Sequence, residues 1–128
     1  MNFLTLDEVI ALHHAEVAIT GEPDTILNLG ALESALMRPQ QAHNYLGIED
    51  IPTLAAKYLL AIGQAHAFLQ GNKRTAFRSM ELFALLNGYE LEVPEVEAVA
   101  RMLVAYITGR WPESRAEEFI RYHIRPGS

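Results

Sequence analysis

The residues best suited to chemistry sit in one run, His66-Ala67-Phe68-Leu69-Gln70-Gly71-Asn72-Lys73-Arg74-Thr75. An imidazole changes charge near neutral pH and can take a proton from a hydroxyl. Gly71 permits a tight turn and a close backbone approach, and Asn72 is a good helix N-cap. Where such a turn feeds a helix, unpaired amides and the positive end of the helix dipole bind phosphate oxygens. Lys73 and Arg74 add charge and donors. The run therefore reads as a phosphate cradle with a base, His66, at its entrance, which is the outline of a phosphoryl- or nucleotidyl-transfer site. It is not a Walker A loop, because the spacing GxxxxGK(S/T) is absent. A plainer reading of the same residues has His66 capping the preceding helix and the cations forming a solvated face.

Charge supports the first reading. The 128-residue chain carries 10 Lys+Arg against 16 Asp+Glu, a formal −6. From Ile51 to Met80 there is no acidic residue, while Lys57, Lys73, Arg74 and Arg78 give +4, so the remainder carries −10. A basic island in an acidic protein suggests a localised anion site. The acidic total, with a pI near 5.3, argues against direct nucleic-acid or anionic-membrane binding, which needs many cationic contacts. With no cysteine, the chain has no disulfide, no thiolate metal site and no thiol nucleophile. His13 and His14 lack a third ligand at metal spacing and read as packing or surface residues. Neither a signal peptide nor an apolar run of the ~20 residues needed to span a bilayer is apparent, so a soluble, cytoplasmic protein is expected.

The elements that must position this run are helices. A capping box at Thr5-Leu6-Asp7-Glu8 predicts a helix to about Ile19. Asn28 caps a second, short helix that stops before Pro39, and Gln40 to Glu49 is expected to be an irregular exposed loop. Pro52 suits the first turn of a third helix, whose stripe of Leu54, Tyr58, Ala61, Ile62 and Ala65 arrives at His66. A strongly apolar helix from about Lys73 to Asn87 is expected to be central and the most buried. Tyr89 to Val93 alternates as a short extended piece, and Pro94 begins a helix to about Thr108. Ser114-Arg115-Ala116-Glu117 is a second capping box before a last helix ending near Ile124. The expected fold is all-α, one domain over residues 1–128 built as a compact bundle of about six helices.

The run HAFLQGNKRTA resembles the core motif of the Fic/Doc superfamily, and its NKRT ending is similar to the death-on-curing (Doc) toxin branch. LHHAEVAITGEP, GALESALMRPQ and LLNGYEL are similar to the same branch, so the resemblance covers most of the chain. It implies a Fic-like helical fold with the motif spanning a loop and the start of the central helix. It further implies His66 as general base, with Lys73 beside it in the catalytic set, and Phe68 as buried structural anchor. Gly71 and Asn72 form the anion-hole turn, and Lys73, Arg74 and Arg78 hold phosphates. Arg78 has a second reading, as a partner of Glu81 or Glu16. The AMP-transferring branch carries HxFx(D/E)GNGRxxR. Here Lys73 replaces the second glycine and Phe77 the final arginine, as in Doc toxins. In that branch the nucleotide lies reversed, and the γ-phosphate is transferred to a threonine of elongation factor Tu, blocking translation.

The cofactors implied by the resemblance are ATP and Mg²⁺. Gln70 stands where the family carries Asp, Glu or Asn, and its neutral amide is a weaker ligand for a hard cation. The string that marks auto-inhibition in the superfamily, Ser/Thr-xxx-Glu-Gly/Asn, is absent. Control is therefore expected from a separate Phd-like antitoxin whose C-terminal segment folds onto the toxin. His43, Asn44, Tyr45, Leu46 and Gly47 correspond to the family's target-docking flap, or else to an ordinary surface loop. Three functions stay open at this point: a phosphotransferase toxin, AMP transfer by the same residues, and a catalytically silent antitoxin-binding module.

Overall fold

The computed structural model describes residues 1–92 and 95–127. In chain order its elements are α1 (Leu6–Thr20), α2 (Leu29–Leu46), α3 (Ile51–Ala65), α4 (Asn72–Leu86), β1 (Tyr89–Leu91), α5 (Val96–Ile107), α6 (Glu113–His123) and β2 (Ile124–Pro126). The all-α expectation therefore holds, with a small two-stranded sheet added. Val93 and Pro94, expected to end the extended piece and to begin the fifth helix, lie outside the described residues.

Local rules explain several boundaries. The Thr5 hydroxyl accepts from the Glu8 amide at 3.1 Å while the Glu8 carboxylate accepts from the Thr5 amide at 2.8 Å, so the predicted capping box forms. Asn28 caps α2 through the Ala31 amide, and Asp50 caps α3 through the Thr53 amide. The second predicted box does not form. After Pro112, whose backbone is extended, α6 starts at Glu113, placing Ser114 and Glu117 inside the helix. Glu113 is held there by Lys57 of α3 at 3.1 Å.

Two larger corrections come from packing. The second helix does not stop before Pro39 but runs through it to Leu46, so most of the expected Gln40–Glu49 loop is helical. A proline inside a helix costs about 3 kcal/mol. Here Pro39 and Ala42 are both buried against the core, and the His43 Nδ1–H donates to the Ile48 carbonyl at 2.9 Å just past the helix end, where Gly47 turns left-handed with φ 68°. The most buried helix is α3, not α4: eleven of its fifteen residues are buried, against seven of fifteen in α4. The reason is position, since α3 packs against α2, α4, α5 and α6. Gly63 permits one of these contacts, because a Cβ there would stand 2.8 Å from Leu103 of α5.

The strand piece gains a partner that local pattern did not announce. Tyr89, Glu90 and Leu91 of β1 pair antiparallel with Pro126, Arg125 and Ile124 of β2. This pins the chain's last described segment beside the end of α4.

Candidate active site

His66 ends α3 in the left-handed region, with φ 49° and ψ 43°, the one non-glycine residue with positive φ among the described residues. Histidine is among the side chains that tolerate this conformation. The turn sends Ala67 and Phe68 into the core, at 0% and 2% exposure, and leaves the His66 side chain exposed. Phe68 is thus buried beneath the loop.

Backbone from the α1–α2 connection holds the loop in place. The Leu27 and Asn28 amides donate to the Ala67 carbonyl at 2.8 and 3.1 Å, and the Leu69 amide donates to the Thr25 carbonyl at 3.0 Å. Asn72 does not act as the N-cap. Its amide reaches back instead, accepting from the Phe68 N–H at 3.0 Å and donating to the Phe68 carbonyl at 2.7 Å. The N-cap is Gly71, left-handed with φ 80°, and no side chain caps α4. The first helical bond, from the Thr75 amide to the Gly71 carbonyl, leaves the amides of the first turn open to an outside acceptor.

A cleft of about 400 Å³ opens over this turn, lined by Gly63, His66, Leu69, Gln70, Gly71, Asn72, Lys73 and Arg74, with Ala100 and Ile107 from α5. It brings together the predicted base, both turn residues, both adjacent cations and Gln70. The α5 wall was not anticipated.

Other expected members lie elsewhere. Arg78 lines a separate groove with Leu12 and Leu82, and it donates to Glu16 at 2.9 Å and Glu81 at 3.0 Å. Those bonds, to Glu16 first, raise its already high pKa. His43 to Gly47 are not the expected irregular loop. The first four close α2 and Gly47 caps it, while Tyr45 and Leu46 line another groove with Arg38, Lys57 and Tyr106.

The basic island is also less bare than its formal charge. Lys57 pairs with Glu113, Arg78 with Glu16 and Glu81, and Arg74 with Glu22. Among the described residues Lys73 forms no ion pair. The Thr20 hydroxyl, and then Arg74, hold the Glu22 carboxyl below its usual range. So Arg74 borders the cleft with a carboxylate already attached.

Glu22 and His13 are the residues that sequence reasoning missed at this site. His13 is wholly buried beneath the loop, its ring stacked on Phe68 with 3.7 Å between centroids. Its i±4 spacing from Val9 and Val17, both buried, was the signal available for burial. No local pattern pointed from Glu22 to Arg74, 52 residues away.

The donor set does not make a metal cage. Among the described residues no group of three or more His, Asp or Glu side chains is placed to hold an ion, and in the cleft Gln70 offers an amide. These residues do not fit a resident protein-held Mg²⁺. No helix among the described residues is long and apolar enough to cross a membrane.

The chain is 32% identical over 122 residues to a protein named protein kinase doc from Escherichia phage P1, with 94% of each chain covered. It is 34% identical over 89 residues to a protein named toxin Doc from Mycolicibacterium smegmatis strain ATCC 700084 / mc(2)155, covering 67% of this chain and 66% of the relative. The profile described as Fic/DOC family matches residues 3–84, a stretch that runs from Phe3 through α1, the His66 loop and most of α4, and the chain belongs to that family.

Proposed function

We propose that this chain is the toxin of a toxin–antitoxin pair and transfers the γ-phosphate of ATP to a protein hydroxyl, with a threonine of elongation factor Tu as the acceptor. The observation that carries the reading is one cleft holding His66 beside an uncapped helix start flanked by Lys73 and Arg74. The match to a relative named protein kinase doc supports phosphate transfer.

In this reading His66 accepts the proton of the attacking hydroxyl as its oxygen bonds to the γ-phosphorus and the bond to the β-phosphate oxygen breaks, releasing ADP. The Gly71 and Asn72 amides and Lys73 hold the phosphate oxygens in line, and Arg74 joins them when it leaves Glu22. Magnesium would enter as part of the Mg–ATP substrate, and Gln70, which lines the cleft, would be the side chain to reach it. An antitoxin of the Phd kind binds through a C-terminal segment and silences the protein.

Incubation of the purified chain with elongation factor Tu and ATP labelled at either the γ- or the α-phosphate tests this. Label is expected on the factor from the γ-position alone. A His66→Ala variant is expected to lose roughly 10²-fold or more in rate, the usual contribution of a positioned base. Label from the α-position would instead assign AMP transfer, and label from neither would assign a silent binding module. A His66→Ala variant as fast as the parent would remove His66 from the mechanism whatever the donor.

A further inference from the structure

His13 has no part in the transfer chemistry described above, yet it touches the motif at three points. Its ring stacks on Phe68, with planes 9° apart. Its Nε2 lies 2.8 Å from the Gln70 carbonyl oxygen. A carbonyl only accepts, so Nε2 carries the proton. Its Cδ2 lies 3.5 Å from where a Cβ on Gly71 would stand. The other nitrogen, Nδ1, faces Asp24 Oδ1 at 3.3 Å without forming a hydrogen bond. The Nε2 bond is therefore the ring's directional tie to the protein. A buried imidazole with an unpaired nitrogen is costly, and a phenyl ring would stack on Phe68 without that cost. What phenyl cannot supply is the donor.

That bond also governs the other half of the same peptide. The Gln70–Gly71 link is trans and planar, so its carbonyl and its N–H point in opposite directions. With the Gln70 carbonyl turned inward to His13, the Gly71 N–H is turned away from it. Gly71 lines the cleft, and its N–H forms no backbone hydrogen bond among the described residues.

We propose that His13 is a positioning residue: by holding the Gln70 carbonyl, it presents the Gly71 amide to a phosphate oxygen of the nucleotide, next to the open amides of α4. The inference rests on the phosphate-transfer reading of the cleft. It assigns to α1 a function in that reaction, exercised through the backbone with no contact to the substrate.

The test compares two variants of the full chain. His13→Phe keeps an aromatic ring in the core and removes the donor, whereas His13→Gln keeps an N–H at the place of Nε2 and removes the ring. Mg–ATP affinity is measured by calorimetry, and the Gly71 amide is followed in ¹⁵N-resolved spectra with and without Mg–ATP. His13→Phe is expected to weaken binding about tenfold or more, the scale of one hydrogen bond to a charged group, and to abolish the response of the Gly71 amide. His13→Gln is expected to stay within about threefold of the parent, with the response retained. Should His13→Phe not fold, His13→Asn, whose donor stands at the Nδ1 position, takes its place with the same expected loss.

Parental affinity and an unchanged Gly71 response in His13→Phe would overturn the proposal. So would a His13→Gln variant that melts like the parent and binds as weakly as His13→Phe. If the parent itself binds no ATP, the phosphate-transfer reading fails separately. The positioning claim is then decided by the shift and exchange rate of the Gly71 amide in the free protein, which must change in His13→Phe and return in His13→Gln.

Discussion

Gln70 offers the cleft an amide oxygen and no charge, and a hard divalent cation prefers carboxylate oxygen. In the phosphotransfer reading Gln70→Asp therefore strengthens the protein's contact to Mg–ATP, and steady-state assays across a magnesium titration are expected to show half-maximal rate at lower Mg²⁺. An unchanged titration would mean that residue 70 does not touch the metal. Glu22 acts on the same cleft from the opposite sign. Its carboxylate occupies the guanidinium of Arg74, with Thr20 donating to that carboxylate at 2.6 Å behind it. Phosphate and carboxylate compete for one fork of donors. Glu22→Gln removes the competing charge, so the KM for ATP is expected to fall severalfold. A KM that rises would show that Glu22 orients Arg74 for the nucleotide instead of withholding it.

At the scale of elements, the loop between α3 and α4 is held from below by α1 and from the side by residues 25–28. Gly71 is where this support is tightest. Its φ of 80° disfavours any L side chain, and a Cβ there would stand 3.1 Å from Val17 Cγ1 of α1. Gly21 has a similar φ of 74° with nothing within 4 Å of its missing Cβ, so it isolates the conformational part of the cost. Gly21→Ala is expected to lose about 1 kcal/mol, and Gly71→Ala measurably more, up to about 2 kcal/mol, by chemical denaturation. Equal losses would show that α1 yields freely beneath the loop. The same scale explains the fate of Asn72. A favoured N-cap residue is drawn into two bonds with Phe68 because the loop buries those backbone groups, which must be paired.

Across the whole molecule, ion pairs join segments far apart in the chain. Asp50 caps α3 and also accepts from Arg121 of α6, with Nη1 at 3.1 Å from Oδ1. The Arg121 bond, helped by Thr53 and opposed by partial burial, lowers the Asp50 pKa from 3.8 to about 2. A carboxyl whose folded pKa is depressed contributes stability above its unfolded pKa and loses that contribution as pH falls through the folded value. The parent is therefore expected to melt above Asp50→Asn at neutral pH, with the gap closing between pH 3.8 and about 2. A gap constant across that window would remove the ion pair from the stability of the fold.

Short-range signals in the sequence suffice for most of the helices and for locating the run proposed to carry the chemistry. Capping at Thr5, Asn28 and Asp50, the apolar stripe into His66, and a glycine turn feeding a helix all act within a few residues, where local rules hold. Tertiary structure decided what depends on partners distant in the chain. Pro39 stays inside α2 because burial of the helix face outweighs a lost backbone bond, and β1 gains β2 from the far end of the chain. Three of the four cations of the basic island meet carboxylates of Glu16, Glu22 and Glu113, each more than 50 residues away in sequence. Formal charge can be counted along a chain. Which charges remain free to meet a phosphate is set by what folding places within a few ångströms of them, and here that leaves Lys73, the open amides of α4 and an arginine that must first let go of Glu22.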